Sequence, residues 1–108
     1  MTEAQITKAV MDHWRTCGLE KTLVASIPNM GARGQYGLTK GLPDLLVITP
    51  GGVGFIELKT EKGKPTQEQM DFKVLCVAHG IRHSITYGRD EPISMLEHWG
   101  AVRKQVAV

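Results

Sequence analysis

Three residues near the middle of the chain have the types and spacing for metal-assisted chemistry: Asp44, Glu57 and Lys59. Asp44 opens the apolar run Leu45-Leu-Val-Ile48, the turn Pro50-Gly-Gly52 follows, and Phe55-Ile56 leads into Glu57. The pattern predicts a β-hairpin with strands at 44–49 and 53–59. Strand side chains alternate between faces, so Phe55, Glu57 and Lys59 share one face and Ile56 and Leu58 the other. The short turn brings Asp44 within metal-bridging reach of Glu57. Two carboxylates suit a hard divalent cation, which prefers oxygen ligands, and the backbone carbonyl of Leu58 offers a third oxygen. Such an ion would generate a nucleophilic water and offset charge building on a phosphodiester. Lys59 would hold or deprotonate that water, or neutralise the phosphate. A cross-strand salt bridge on a solvated hairpin would use the same residue types and be worth about 0–1 kcal/mol. The apolar flanks argue for central strands instead, where charges need a reason to be buried.

The elements that must position this set follow from periodicity and punctuation. Thr2 is an N-cap with Gln5 as its capping-box partner, and Ile6, Val10 and Trp14 recur at helical spacing up to Gly18, which predicts a helix over 3–17. Glu3 lies on the same face as Ile6 and Val10. Leu23-Val-Ala-Ser-Ile27 reads as a strand ended by Pro28. Residues 29–41 form a glycine-rich loop carrying Arg33 and Lys40, and 60–64 form a charged loop carrying Lys62 and Lys64. Thr66 caps a second helix with Gln69 at the capping-box position, an apolar stripe of Met70, Val74, Val77 and Ala78, and Gly80 as the stop. A fourth strand at 81–87 and a short helix at 92–99 complete the order α-β-β-β-α-β-α, a mixed α/β arrangement. The tail to Val108 either continues the last helix or frays.

The 108 residues suit a single domain over 1–108, with 42% apolar and 22% charged residues. A net charge of +2 does not single out a nucleic-acid binder. Cys17 and Cys76 read as reduced thiols, which fits a cytoplasmic location; there is no basic, apolar leader and no run of the roughly 20 apolar residues a membrane helix needs. The four histidines show no metal-ligand spacing. The glycine-rich loop lacks the Gly-Lys-Ser/Thr of a Walker phosphate site, although Arg33, Lys40, Lys62 and Lys64 are placed to meet a nucleic-acid backbone.

Gly41-Leu-Pro-Asp44, Phe55-Ile-Glu-Leu-Lys59, Gly63-Lys-Pro-Thr-Gln-Glu-Gln69 and His79-Gly80 together resemble the VRR-NUC family, a branch of the PD-(D/E)XK nuclease superfamily, over about residues 2–88. The opening Thr2-Glu-Ala-Gln-Ile6 resembles that family's first helix. The resemblance is to the stand-alone, phage-type members. It implies a restriction-endonuclease-like fold, a mixed sheet flanked by helices. It also implies that Asp44 and Glu57 hold Mg²⁺ or Mn²⁺, that Lys59 is the catalytic lysine, that Gln69 lies near the metal or the scissile phosphate, and that Glu3 is an accessory acid. Gln69 and Glu3 have plainer readings too, as a capping-box residue and as a first-turn acid favouring the helix dipole. The activity implied is DNA hydrolysis, with a preference for branched or Holliday-junction-like DNA, in the host cytoplasm if the chain is phage-encoded. The alternative is a non-catalytic nucleic-acid-binding or partner module on a nuclease fold. A homodimer is expected, because a domain this small with Trp14, Trp99, Met95 and Leu96 to bury gains from a partner surface.

Overall fold

The computed structural model describes residues 1–28 and 39–105. The elements are α1 (Glu3–Cys17), β1 (Leu23–Ser26), β2 (Leu45–Thr49), β3 (Gly52–Lys59), α2 (Gln67–Ala78), β4 (Arg82–Tyr87) and α3 (Asp90–Trp99), in the order that the sequence implied. The strands form one sheet in spatial order β1-β2-β3-β4. β1, β2 and β3 run antiparallel, and β4 pairs with β3 in parallel after the α2 crossover. Among the described residues no helix is long and apolar enough to cross a membrane.

One face of the sheet carries the core. Val24, Leu45, Val47, Ile56 and Leu58 alternate onto it and meet Ile6 and Val10 of α1 and Ile93 and Leu96 of α3. Leu45, Ile56, Leu58 and Leu96 are wholly buried. Each such side chain contributes about 1.5–3 kcal/mol relative to exposure. The α1 boundaries match their capping chemistry: the Thr2 hydroxyl accepts from the Gln5 N–H at 3.1 Å, and the Gln5 side chain accepts from the Thr2 N–H at 2.8 Å.

The other face carries α2, and here one expectation is corrected. Met70, Val74 and Val77 are 39%, 66% and 65% exposed, and Ala78 is exposed too. Phe72 and Cys76 face inward instead. The reason is a single aromatic anchor. The Phe72 ring meets Phe55 edge-on at 5.4 Å and lies 5.8 Å from His83, and these two residues are register partners on β3 and β4. Rotating the helix to bury the aliphatic stripe would lift Phe72 off that pair.

Two ends also differ from the sequence expectation. α3 begins at Asp90, two residues before Pro92, because a proline in the first turn removes only an N–H that has no intrahelical partner. The chain after α3 neither continues nor frays at once. Gly100 takes a left-handed conformation, Ala101 and Val102 are buried, Val102 bridges to Gly18, and the Arg103 N–H donates to the Cys17 carbonyl at 2.9 Å. Residues 106–108 lie outside the described residues. Trp14, Trp99 and Met95 pack against the core and Leu96 is part of it. Trp14, Met95 and Trp99 keep partial exposure there, whereas Leu96 is fully buried.

Candidate metal centre

Asp44 is delivered by the segment Gly41-Leu-Pro-Asp44. Gly41 has φ +87°, and a Cβ there would run into the backbone of Glu68 in the first turn of α2. Only glycine meets both demands without strain. Pro43 is fully buried, so the segment is clamped on both sides before it reaches β2. The Asp44 carbonyl accepts from the Ile27 N–H at 2.7 Å, and its Oδ2 accepts from the Leu58 N–H at 2.7 Å. The second bond ties the aspartate to the strand that carries Glu57 and Lys59. The same packing joins the two motifs in this chain: Gly41 leans on the helix start that Thr66 and Gln69 cap.

The hairpin register pairs Leu45 with Ile56, which sets Asp44 opposite Glu57 at its open end. Glu57 and Lys59 are 2% and 8% exposed, unusual for charged side chains. Lys59 Nζ lies 4.0 Å from Glu57 Oε2. Glu3 comes in from the first turn of α1. One carboxylate oxygen from each of Glu3, Asp44 and Glu57 lies within 4.8 Å of the others. The hairpin thus holds two acids and α1 adds a third.

Burial pushes the Glu57 carboxyl far above the ordinary carboxylate range. A hydrogen bond and like charge from Asp44 push it further, and Glu3 adds to this, while Lys59 pulls it down without prevailing. Glu57 Oε1 is buried with no donor. A proton held between carboxylates, an ordered water or a cation would satisfy such an arrangement. Three hard oxygen donors, one of them orphaned, fit a divalent cation of the magnesium type.

The remaining sequence candidates divide. Gln69 serves as a cap: its Oε1 accepts from the Thr66 N–H at 2.9 Å, so that oxygen is committed to the helix start. Lys40 is exposed just before Gly41. Lys62 lines a cleft beside the acids, whereas Lys64 is exposed on the same loop outside that lining. Arg33 lies outside the described residues. Among the described residues no histidine joins the acid cluster. The cleft itself was missed. It measures about 980 Å³ and is bounded by Met1 ahead of α1 and Ile6 within it, by Thr60–Lys62 after β3, and by Tyr87–Glu91, from the end of β4 to the start of α3. Its walls meet only through the parallel pairing of β3 and β4, for which local sequence carries no signal.

No family model and no curated protein matches the sequence. Two solved structures match the fold. One, described as a "VRR_NUC domain", is 24% identical, with a TM-score of 0.67 over 92% of this chain and 99% of its own. The other, a "VRR_NUC domain protein", is 19% identical, with a TM-score of 0.78 over 92% of this chain and 88% of its own. What this degree of likeness carries is architecture, and the sequence motifs had pointed to the same one: the chain has the fold of VRR-NUC domains.

Proposed function

We propose that the chain is a divalent-metal-dependent endonuclease that hydrolyses DNA. The observation that carries this reading is the convergence of Glu3, Asp44 and Glu57 within 4.8 Å, with a buried, unpartnered Glu57 oxygen and Lys59 alongside. Asp44 and Glu57 are the metal ligands, joined by Glu3 and by the Leu58 carbonyl. A divalent cation bound there, Mg²⁺ or Mn²⁺, supplies the positive charge that acidifies the attacking water and offsets charge on the phosphate. Lys59 would orient the water and, as the neutral amine, take its proton, or as the ammonium would steady the phosphate oxygens. Its burial beside Glu57 holds the side-chain nitrogen at one place, which suits a role at the reacting atoms over a loose backbone contact. The free amide nitrogen of Gln69 hydrogen-bonds toward the scissile phosphate. Arg33, Lys40, Lys62 and Lys64 meet flanking phosphates, which fix position without reading sequence. Both neighbours in fold carry nuclease-domain names, which favours this reading over a non-catalytic binding module. So does the costly burial of Glu57 beside Lys59.

Branched DNA is the preferred substrate on this reading, and a symmetric homodimer is the working unit. The dimer surface differs from the one first expected. Leu23, Ile48 and Val53 are register neighbours across three strands and are 39–45% exposed. By alternation they share the sheet face that carries Phe55, the side on which α2 and its bare Met70, Val74 and Val77 lie. A second copy would cover that row and present a second acid cluster for the opposed strand. A panel of linear, flapped, forked and four-way DNA, incubated with Mg²⁺, Mn²⁺ or EDTA, tests the proposal, with light scattering for the assembly. Cleavage in either metal, none in EDTA, and loss in Glu57→Gln support it. Cleavage that persists in EDTA contradicts it.

A further inference from the structure

Resting on the nuclease reading, we propose that the cleft beside the acid cluster holds one unpaired nucleotide next to the scissile phosphate. Its base stacks on Tyr87, and its phosphate is met by Lys62 and Arg89. The cleft adjoins the reaction centre through the backbone itself. Thr60 in its wall follows Lys59, and Met1 and Ile6 bracket Glu3. Tyr87 is the register partner of Lys59 on the parallel neighbour, so the two side chains leave the sheet on the same face. The Gly88 N–H donates to the Lys59 carbonyl at 2.9 Å, which fixes the turn after Tyr87 against the lysine's own backbone. The wall of the cleft is thus one residue from Lys59 along the chain and one strand pairing from it across the sheet.

Its size and charge select the ligand. At about 980 Å³ it matches the range of about 300–1,000 Å³ typical of small-ligand sites, which suits a nucleotide and not a duplex. Lys62 is exposed, and among the described residues it makes no ion pair. Arg89 pairs only with its neighbour Asp90 at 3.0 Å, and that carboxylate is 92% exposed, so a phosphate can replace it at little cost. Glu61, Asp90 and Glu91 stand in the same wall. Three carboxylates repel a continuous phosphate backbone, but they accept hydrogen bonds from base amino groups. The half-buried Tyr87 ring offers the stacking surface, and only a base that has left its helix has a face free to cover it. Selectivity for branched DNA then has a local cause: forks, flaps and junctions supply such a nucleotide without the cost of unpairing one.

The test uses DNA with 2-aminopurine at the nucleotide beside the cut, in paired and unpaired versions. Binding is read by fluorescence in Ca²⁺ and cutting in Mg²⁺ or Mn²⁺. The intact protein should quench the unpaired probe and cut that substrate faster. Tyr87→Leu, which keeps bulk without a π face, should lose the quench and about tenfold of the unpaired-to-paired rate ratio. Tyr87→Phe should keep both. Arg89→Ala, an exposed change independent of the sheet, should weaken binding of the unpaired DNA and lower its salt dependence by about one charge. Equal quench and equal ratio in Tyr87→Leu would overturn the proposal while leaving the nuclease reading intact. No metal-dependent cutting by the intact protein would remove the nuclease reading, and this proposal with it.

Discussion

Two ion pairs in this molecule look alike in sequence and behave oppositely. On α1, Lys8 Nζ and Asp12 Oδ2 are 2.6 Å apart, with side chains 79% and 50% exposed. On β3, Lys59 Nζ and Glu57 Oε2 are 4.0 Å apart, with side chains 10% and 3% exposed. The short, solvated pair keeps Asp12 ionised, its hydrogen bond to Lys8 drawing the carboxyl below its usual value. In the long, buried pair desolvation and two neighbouring acids outweigh the lysine, and the Glu57 carboxyl is pushed well above its usual value. Solvent and like charge decide the outcome, not the separation of the partners. An exposed i,i+4 pair decorates a helix; a buried acid whose own lysine does not hold its pKa down carries a desolvation cost that the pair does not offset.

The comparison breaks most visibly at Asp44. Asp44→Asn should reduce metal-dependent cleavage on the order of 10³-fold, since metal electrostatics are worth several kcal/mol. Asparagine retains the oxygen that accepts from the Leu58 N–H, so the fold should persist. A rate close to the parent's would show that Asp44 is not a ligand.

Lys59→Ala should cost about 10²–10⁴-fold in turnover and leave Mn²⁺ affinity nearly unchanged, which single-turnover assays and metal titration separate. Loss of DNA affinity with normal cutting of bound DNA would reduce Lys59 to a backbone contact.

A smaller effect is expected in the pH dependence of stability, and its two contributions have opposite signs. Glu57 has a folded pKa raised above its ordinary value of 4.5. The stability it contributes is present below that value and is lost as pH rises through the folded one, so the metal-free protein should weaken toward alkaline pH. Metal should reverse the loss. His83, buried against Phe72 and near Lys73, has its pKa lowered from 6.5 to about 4. Its stability is present above 6.5 and is lost as pH falls toward 4. His83→Gln should flatten the acid limb of a melting series and leave the alkaline limb alone. Smallest of all, Lys8→Ala should leave melting and cleavage unchanged, which sharpens the contrast with Lys59.

How far the site was legible follows from the range of the forces involved. The hairpin could be read because alternation and a turn are local, and its strands fall within a residue of where the pattern put them. Glu3 was legible because it shares a helical face with Ile6 and Val10, and both are buried. The α2 face was not legible. Two apolar stripes compete on that helix, and the winner depends on Phe55 and His83, which meet only in the folded sheet. The cleft was hidden for the same reason, since Lys59 and Tyr87 become neighbours through a parallel pairing that local pattern does not encode. Trp14 and Trp99 looked like partner contacts because size alone does not say which way a tryptophan points; here both turn inward.

The central claim is that Glu3, Asp44 and Glu57 form a cation site whose assembly ionises Glu57. Calorimetric titration of Mn²⁺ into the metal-free protein at neutral pH, repeated in buffers of different ionisation enthalpy, measures affinity and proton release together. The account predicts binding with release of about one proton per ion, and loss of both in Glu57→Gln. Binding that survives Glu57→Gln with the same proton count, or no binding by the parent, would contradict it.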